Sequence, residues 1–363
     1  MSVALEQLVT SSLSADFEFH VLNTAKFRTL SGAGTLSPAK LVGDLDLLRQ
    51  LQRHLRGKAV SLVYIAVGQT RLGMIRDSLL IRMSKRYGAP VVVHLHGSMW
   101  RHQLERLPAW ERHFISEAYR MVDIAVVLSG RLRWIFNGII DPHRLAVVAN
   151  GLPDIPCSCI RPASATKPPD ACARILFLSN LQAEKGLFDL LNALGRLKEQ
   201  RRSFLATLAG AWPDESTKAY AVHLINTNNL VNAVALPGVI TGQRKLQALA
   251  AADVFVVPFA QQEGQPIVIL EAMRSALPVV TTGMGCIPDM IQHAESGFLL
   301  RPGCPTDIAY HLSILLDNPE QAARMGQRAR QEYLRSYTLD AHVRRMHYVF
   351  GWAIGQGPSS CLP

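Results

Sequence analysis

Along the first half of the chain, segments with apolar residues at helical spacing alternate with short, continuous apolar runs. Amphipathic stretches at residues 44–56 and 74–86 place Leu, Ile and Met at helical spacing with Arg on the opposite side. Short apolar runs rich in β-branched residues predict strands, because buried parallel strands read as continuous apolar segments. These predicted strands are residues 17–22, 60–67, 90–96, 124–128 and 145–148. Strands that alternate with helices indicate an α/β fold with a parallel sheet covered on both faces.

The second half repeats this alternation after a break. Residues 152–173 contain five prolines together with Ser, Ala and Thr, a composition typical of an interdomain linker. The length of 363 residues also exceeds what one hydrophobic core usually serves. We therefore predict a first domain at 1–151, a second at 174–340, and a C-terminal helix and tail at 341–363. Strands of the second domain are predicted at residues 174–178, 204–210, 234–236, 254–257 and 279–280.

The net charge of +10 is concentrated in the first half. Residues 1–172 hold 21 Lys and Arg against 13 Asp and Glu. An anionic membrane surface, an acidic or phosphorylated acceptor, and solvated helix faces all fit this excess. Nucleic acid does not fit, because aromatic residues do not alternate with the basic ones and no nucleic-acid-binding motif is present.

The sequence predicts a cytoplasmic protein. No apolar run approaches the roughly 18 residues that a spanning helix needs, and the amino terminus does not read as a secretory signal. The six cysteines form no C-x-x-C and no Cys/His metal spacing. Reduced thiols are therefore favoured over a disulfide framework.

The most informative motif contains two carboxylates, Glu263 and Glu271, eight positions apart. A buried strand precedes Glu263, and a Gly-Gln-Pro turn leads from Glu263 into a predicted helix at residues 268–276. Glu263 would lie in the loop after the strand and Glu271 about two turns into the helix. Ligands of open α/β sheets bind at the carboxyl ends of the strands, so this pattern predicts a ligand site.

This region resembles the donor-site signature of family 4 retaining glycosyltransferases of the GT-B fold. The matching residues are 263–264, 271–273, 277–280, 285–289 and 296–300. A second match, Asn-Leu-Gln-Ala-Glu-Lys-Gly at 180–186, resembles the R-L-x-x-x-K-G loop of that family. The resemblance implies two Rossmann-like domains facing across a cleft. It also implies a nucleotide-diphosphate sugar as donor and no metal or other cofactor.

The resemblance assigns roles to individual residues of the second domain. Glu271 would accept the hydroxyl protons of a ribose, and Glu263 would orient a hydroxyl of the donor sugar. Lys185 would stabilise the departing diphosphate, because a fixed ammonium lowers the cost of developing negative charge. Asn180 replaces the Arg of the family and brings no charge. The turn and helix start complete the predicted donor site with Gly264, Gln265, Pro266 and Ile267.

His96 is the candidate in the first domain. It ends the predicted strand 90–96 on the same face as His94 and resembles the acceptor-side histidine of the family. A structural role for both imidazoles is the alternative. A zinc site is not predicted, because a third ligand at a suitable spacing is not evident.

Three features depart from the family or compete with it. Residues 2–9 read as a helix, so the first strand and glycine-rich loop of the family are expected to be absent, and Gly32-Ala33-Gly34 does not replace them. Asp44-Leu45-Asp46 matches a D-x-D metal motif but is expected to cap a helix. Residues 100–120 combine aromatic and Arg residues at helical spacing, which fits either a membrane-facing helix or core packing.

The resulting prediction is a hexosyltransferase that moves a sugar to an acceptor hydroxyl with retention. Its acceptor would be a glycan or a lipid-linked sugar in bacterial surface polysaccharide or glycolipid biosynthesis, with possible peripheral contact at the inner face of the membrane. The alternative is a non-catalytic, nucleotide-sugar-binding or scaffold partner. A dinucleotide-dependent oxidoreductase is set aside, because G-x-G-x-x-G does not occur between a strand and a helix.

Overall fold

The computed structural model of the chain describes residues 3–23, 38–57, 60–160 and 172–356. The strands are β1 (Val63–Ala66), β2 (Val91–Leu95), β3 (Ile124–Val127), β4 (Leu145–Val147), β5 (Ala173–Leu178), β6 (Phe204–Ala209), β7 (Val234–Ala235), β8 (Val254–Val257), β9 (Val279–Thr282) and β10 (Gly297–Leu300). The helices are α1 (Val3–Val9), α2 (Pro38–Gly57), α3 (Arg71–Arg86), α4 (Trp100–Glu105), α5 (Ala109–Arg120), α6 (Leu187–Glu199), α7 (Glu215–Thr227), α8 (Gly242–Ala251), α9 (Ile267–Arg274), α10 (Ile287–Met290), α11 (Pro305–Asp317), α12 (Pro319–Ser336) and α13 (Leu339–Ala353).

The chain divides into two compact units, which we call the first and the second unit. The first unit comprises Met1–Gly151 together with Leu339–Pro363, and the second comprises Leu152–Thr338. The first unit contains a parallel sheet in the order β1-β2-β3-β4. All residues of β2 and β3 are buried, as their unbroken apolar sequences predict.

One hydrophobic cluster of the first unit combines both ends of the chain with the sheet. Its members from the sheet and the amino-terminal segment pack against buried residues of α13. The α13 members are Val343, Met346, Val349 and Phe350. This helix follows the second unit in the sequence but belongs to the core of the first.

The predicted strand at residues 17–22 is wrong. Residues 17–23 form neither helix nor strand. Phe17 and Phe19 instead pack against the hydrophobic cluster that includes α13, and the Phe17 ring meets the Phe350 ring edge-on at 5.5 Å between centroids. An extended segment with alternating apolar residues can pack on a helix as well as pair in a sheet, and this segment packs beside α13.

The described residues of the second unit form a sheet of six parallel strands in the order β10-β9-β8-β5-β6-β7. Its first strand in the chain, β5, therefore lies between β6 and β8. Read from β7, the order is third, second, first, fourth, fifth and sixth, which is the Rossmann arrangement. The chain changes direction across the sheet between β5 and β8, and ligands of such sheets bind at this switch point.

The described part of the predicted linker, residues 152–160, belongs to the second unit. Leu152 pairs with Thr338 in an isolated parallel bridge, and Arg274 donates to the Pro153 carbonyl at 2.7 Å. Arg330 forms a two-point ion pair with Asp154 at 2.6 and 2.8 Å, which lowers the pKa of that carboxyl. These contacts fix the entry of the chain into the second unit.

The expectation that Asp44 and Asp46 cap a helix is wrong. Helix α2 begins at Pro38, so both residues lie inside it. Asp46 accepts a hydrogen bond from Gln50 one turn later, at 2.7 Å. The Gly32-Ala33-Gly34 patch lies outside the described residues.

Residues 100–120 form two helices, because Pro108 stands between α4 and α5 as the residue preceding α5. Trp100, Leu104 and Tyr119 are buried in the first unit, as the core-packing alternative predicts. Trp110 is 68% exposed, so this one aromatic side chain lies at the surface. Among the described residues, the helices are too short or too polar to cross a bilayer.

Candidate active site

Lys185 and Glu263 come from the two strands at the switch point of the second sheet. Lys185 ends a short turn after β5, and Glu263 lies in the loop after β8. The Lys185 ammonium lies 2.5 Å from Glu263 Oε1 and 5.3 Å from the centroid of the Phe259 ring. The two side chains are 21% and 19% exposed, so the ion pair is accessible from one side. The structure thus brings together two predicted site residues that are 78 positions apart.

Two glycines permit the close packing around this pair. Gly186 adopts a left-handed φ of 76°, and a Cβ there would collide with the Pro258 carbonyl oxygen. Gly285 has a φ of 58°, and a Cβ there would collide with the Glu263 carbonyl oxygen. The loops that carry Lys185 and Glu263 therefore depend on the absence of two side chains.

Glu271 is buried in α9, with 6% of the residue exposed. It lies four residues after Ile267, the first residue of that helix, which corresponds to about 6 Å along the axis. Its Oε1 accepts a hydrogen bond from Lys245 Nζ at 2.5 Å. Within the described residues, Oε2 is buried and meets no hydrogen-bond donor. A buried carboxylate oxygen in this state is a strong acceptor for an incoming ligand.

Lys245, on α8, is the site residue that the sequence analysis missed. A lysine in an amphipathic helix reads as a surface residue, and its contact with Glu271 depends on how α8 packs beside α9. The local sequence therefore contains no signal for this ion pair. Its side chain is 30% exposed.

The turn before α9 is packed tightly. Gly264 and Gln265 are buried, and Pro266 precedes the helix without a side-chain cap. The backbone N–H of Ile267 lies in the first turn, where N–H groups have no acceptor within the helix. Asn180 is exposed in the loop after β5, the same loop that carries Lys185.

His96 follows β2 in the first unit. Its ring stacks on that of His94 with 4.0 Å between centroids, which agrees with the predicted shared face. Burial lowers the pKa of His96 to about 4, assisted by the charge of His342 and opposed by a hydrogen bond with Asn150. His94 Nδ1 lies 2.8 Å from the Tyr64 hydroxyl. The acceptor-side role of His96 stays a prediction.

A metal site is not present in the described ranges, where no three His, Cys, Asp or Glu side chains are grouped to hold an ion. That none is needed stays a prediction. The described cysteines, at 157, 159, 172, 286 and 304, are not joined in disulfides.

Comparison with known proteins finds a match to one family model and to several solved structures. The family model described as "Glycosyl transferases group 1" matches residues 164–332, just under half of the chain. Residues 164–332 are therefore similar to the group 1 glycosyltransferases. Solved structures of similar fold include Alr3699/HepE of Anabaena in complex with UDP (TM-score 0.69, 19% identity, 85% of this chain and 82% of that one). A glycosyltransferase from Rickettsia africae covers 95% of this chain and 89% of its own, with TM-score 0.71 and 15% identity. The chain therefore has the GT-B fold, with two Rossmann-like units, as predicted.

Curated relatives of this chain match over shorter stretches. Sulfoquinovosyl transferase SQD2 of Arabidopsis thaliana is 32% identical over 161 residues, which is 44% of this chain and 29% of the relative. A glycogen synthase of Mycobacterium tuberculosis is 23% identical over 260 residues, 69% of this chain and 60% of the relative. The colanic acid biosynthesis glycosyltransferase WcaL of Escherichia coli, named as putative, is 29% identical over 172 residues, 46% of this chain and 42% of the relative. The matches span between 29% and 60% of the length of these relatives.

Proposed function

We propose that this chain transfers a hexosyl group from a nucleotide-diphosphate sugar to an acceptor hydroxyl with retention of configuration. The observation that carries the proposal is the pairing of each predicted carboxylate with an ammonium at the carboxyl edge of the second sheet. Glu263 pairs with Lys185, and Glu271 pairs with Lys245. The structures of Alr3699/HepE with UDP and with UDP-glucose support a donor of this class.

In the proposed mechanism, each side chain meets a different part of the donor. Glu271 Oε2 accepts a hydrogen bond from a ribose hydroxyl, and Glu263 orients a hydroxyl of the transferred sugar. Lys185 stabilises the negative charge that develops on the β-phosphate as the glycosidic bond breaks. The acceptor oxygen attacks from the same face, and the departing diphosphate takes its proton. This route needs no nucleophilic carboxylate of the kind that retaining hydrolases use.

We further propose that the enzyme acts without a metal ion, in the biosynthesis of a bacterial surface polysaccharide or glycolipid. The name of the relative WcaL supports polysaccharide assembly. The basic excess of residues 1–172 supports a cytoplasmic protein in peripheral contact with an anionic membrane that holds a glycan or lipid-linked acceptor.

The donor is tested by thermal shift with UDP, GDP, ADP and their sugars. A ligand at about 100 times its dissociation constant stabilises the folded state by about 2.7 kcal/mol, which gives a clear rise in Tm. We expect one nucleotide diphosphate and its sugar to give this rise, and the stabilising sugar nucleotide to be consumed when acceptor is added. Absence of stabilisation by all of them would overturn the proposal.

The catalytic assignment is tested with Lys185→Ala and Glu271→Ala. We expect Lys185→Ala to lower kcat by about 100-fold to 1,000-fold, because it removes charge stabilisation of the leaving group. Glu271→Ala should lower kcat/KM by a similar factor through weaker donor binding. Lys218→Ala is the control, since Lys218 lies on the exposed side of α7 with Glu215. Turnover like that of the unaltered protein in either site variant would contradict the assignment.

Asn180 favours one alternative, a nucleotide-sugar-binding partner without catalysis. An asparagine in place of the arginine of the resembled loop leaves fewer positive charges for a leaving diphosphate. Strong donor binding without transfer or donor hydrolysis would select this alternative.

A further inference from the structure

Lys245 lies on α8, a helix whose residues have no role in the donor site that the family resemblance implies. Lys245 places its ammonium 2.5 Å from Glu271 Oε1 and occupies only one oxygen of that carboxylate. We propose that Lys245 is a donor-binding residue, which contacts the nucleotide directly and neutralises Glu271 at the same time. This inference rests on the proposed function, because it takes the ligand to be a nucleoside diphosphate.

Hydrogen-bonding capacity supports a direct contact. An ammonium has three N–H donors, and one of them is directed to Glu271. A ribose hydroxyl can donate to the vacant Glu271 Oε2 while its oxygen accepts from Lys245 Nζ. The side chain of Lys245 is 30% exposed and that of Glu271 is 8% exposed, so the lysine is the member of the pair that solvent reaches more readily.

The charge of the site supports the second part of the inference. Glu263 and Glu271 alone would repel the diphosphate of a donor, since like charges repel strongly in a partly buried site. Lys185 and Lys245 balance these two carboxylates one for one. Removal of Lys245 would leave a net negative site with a buried, uncompensated carboxylate.

A purely structural ion pair is the rival explanation. It predicts that loss of Lys245 changes the stability of the protein but not its affinity for nucleotide. The direct contact predicts that the affinity for nucleotide falls as well, because the charge-assisted hydrogen bond to the ligand is lost. The two explanations therefore differ in binding and not only in Tm.

The test compares Lys245→Met, Lys245→Arg and the control Arg244→Met by calorimetric titration with UDP. Met keeps the length of the lysine stem without its charge, and Arg244 is an exposed cation on the same helix. A charge-assisted hydrogen bond contributes about 1.5–3 kcal/mol, so we expect Lys245→Met to bind UDP about ten- to a hundredfold more weakly. Lys245→Arg should recover much of this loss, and Arg244→Met should bind like the unaltered protein.

A second comparison separates direct contact from neutralisation alone. In a Glu271→Gln background there is no carboxylate to neutralise, yet we expect Lys245→Met to weaken UDP binding further. Equal affinity of Glu271→Gln and the double variant would overturn the direct contact. Equal affinity of Lys245→Met and the unaltered protein would overturn the inference alone. No binding of UDP, GDP or ADP by the unaltered protein would overturn the proposed function, and this inference with it.

Discussion

His94, His96 and His342 lie together in the first unit, and their burial lowers the pKa of all three. The His94 and His342 rings are 6.3 Å apart, and His342 Nδ1 bonds the Ala149 carbonyl at 2.7 Å. These three imidazoles are packed between β2 and α13 in their uncharged form. Protonation of these rings therefore opposes folding.

Acidification should destabilise the first unit through this cluster. The folded pKa of His96 is about 4, below its usual value of about 6.5 in an unfolded chain. Between these values the unfolded state binds more protons, so stability is full above about pH 6.5 and falls as the pH drops towards 4. Each such histidine contributes at most about 1.4 kcal/mol per pH unit.

Urea unfolding of His96→Asn at several pH values checks this expectation. The variant should show a shallower loss of stability than the unaltered protein between pH 6.5 and 4.5. His223→Asn is the control, because His223 is exposed on α7. Parallel pH profiles for His96→Asn and the unaltered protein would show that this ring does not resist protonation.

At the scale of elements, the loop between β5 and α6 depends on one glycine. Gly186 combines a left-handed backbone with direct contact against Pro258, whereas Gly303 has a similar φ of 70° with open space around it. Alanine at either position costs about 1 kcal/mol in backbone strain. At Gly186 the added Cβ would also collide with the Pro258 carbonyl oxygen, so the loop that carries Lys185 must move; at Gly303 there is no such collision.

Gly186→Ala should therefore lower Tm more than Gly303→Ala and should also lower kcat. A matched pair of melting curves and single-turnover assays measures both effects. If the two variants behaved alike, the contact with Pro258 would not position Lys185.

Most strands, and the places of Glu263 and Glu271 after a strand and inside a helix, could be predicted from the sequence. The lysine that pairs with Glu271 could not. The run Val254–Val257 is apolar throughout because the strand is buried, and that signal is local. By contrast, β10 begins with Gly297, and glycine is not typical of strands, so β10 was not predicted as one. Lys245 joins Glu271 across 26 residues through the packing of two helices, which no local pattern encodes.

Across the whole molecule, the two units should respond to different conditions. Each has its own parallel sheet and its own core, so local opening in one need not follow the other. We expect UDP to slow hydrogen exchange mainly in the second unit, around residues 179–187 and 258–274. Mild acid should speed exchange mainly in the first unit, near β2 and α13.

Hydrogen exchange with mass spectrometry at pH 7 and pH 5 measures both responses after correction for intrinsic rates. UDP protection confined to the first unit would contradict the location of the donor site. An acid response confined to the second unit would contradict the role of the histidine cluster.

The position of α13 determines the order in which the chain can finish folding on the ribosome. Synthesis delivers the second unit in full before Val343, Met346, Val349 and Phe350 emerge. Until they do, the nascent first unit holds an apolar sheet face without its covering helix. A stop codon just after residue 338 would therefore leave the second unit complete and the first one open, exposed to aggregation and to quality-control proteases.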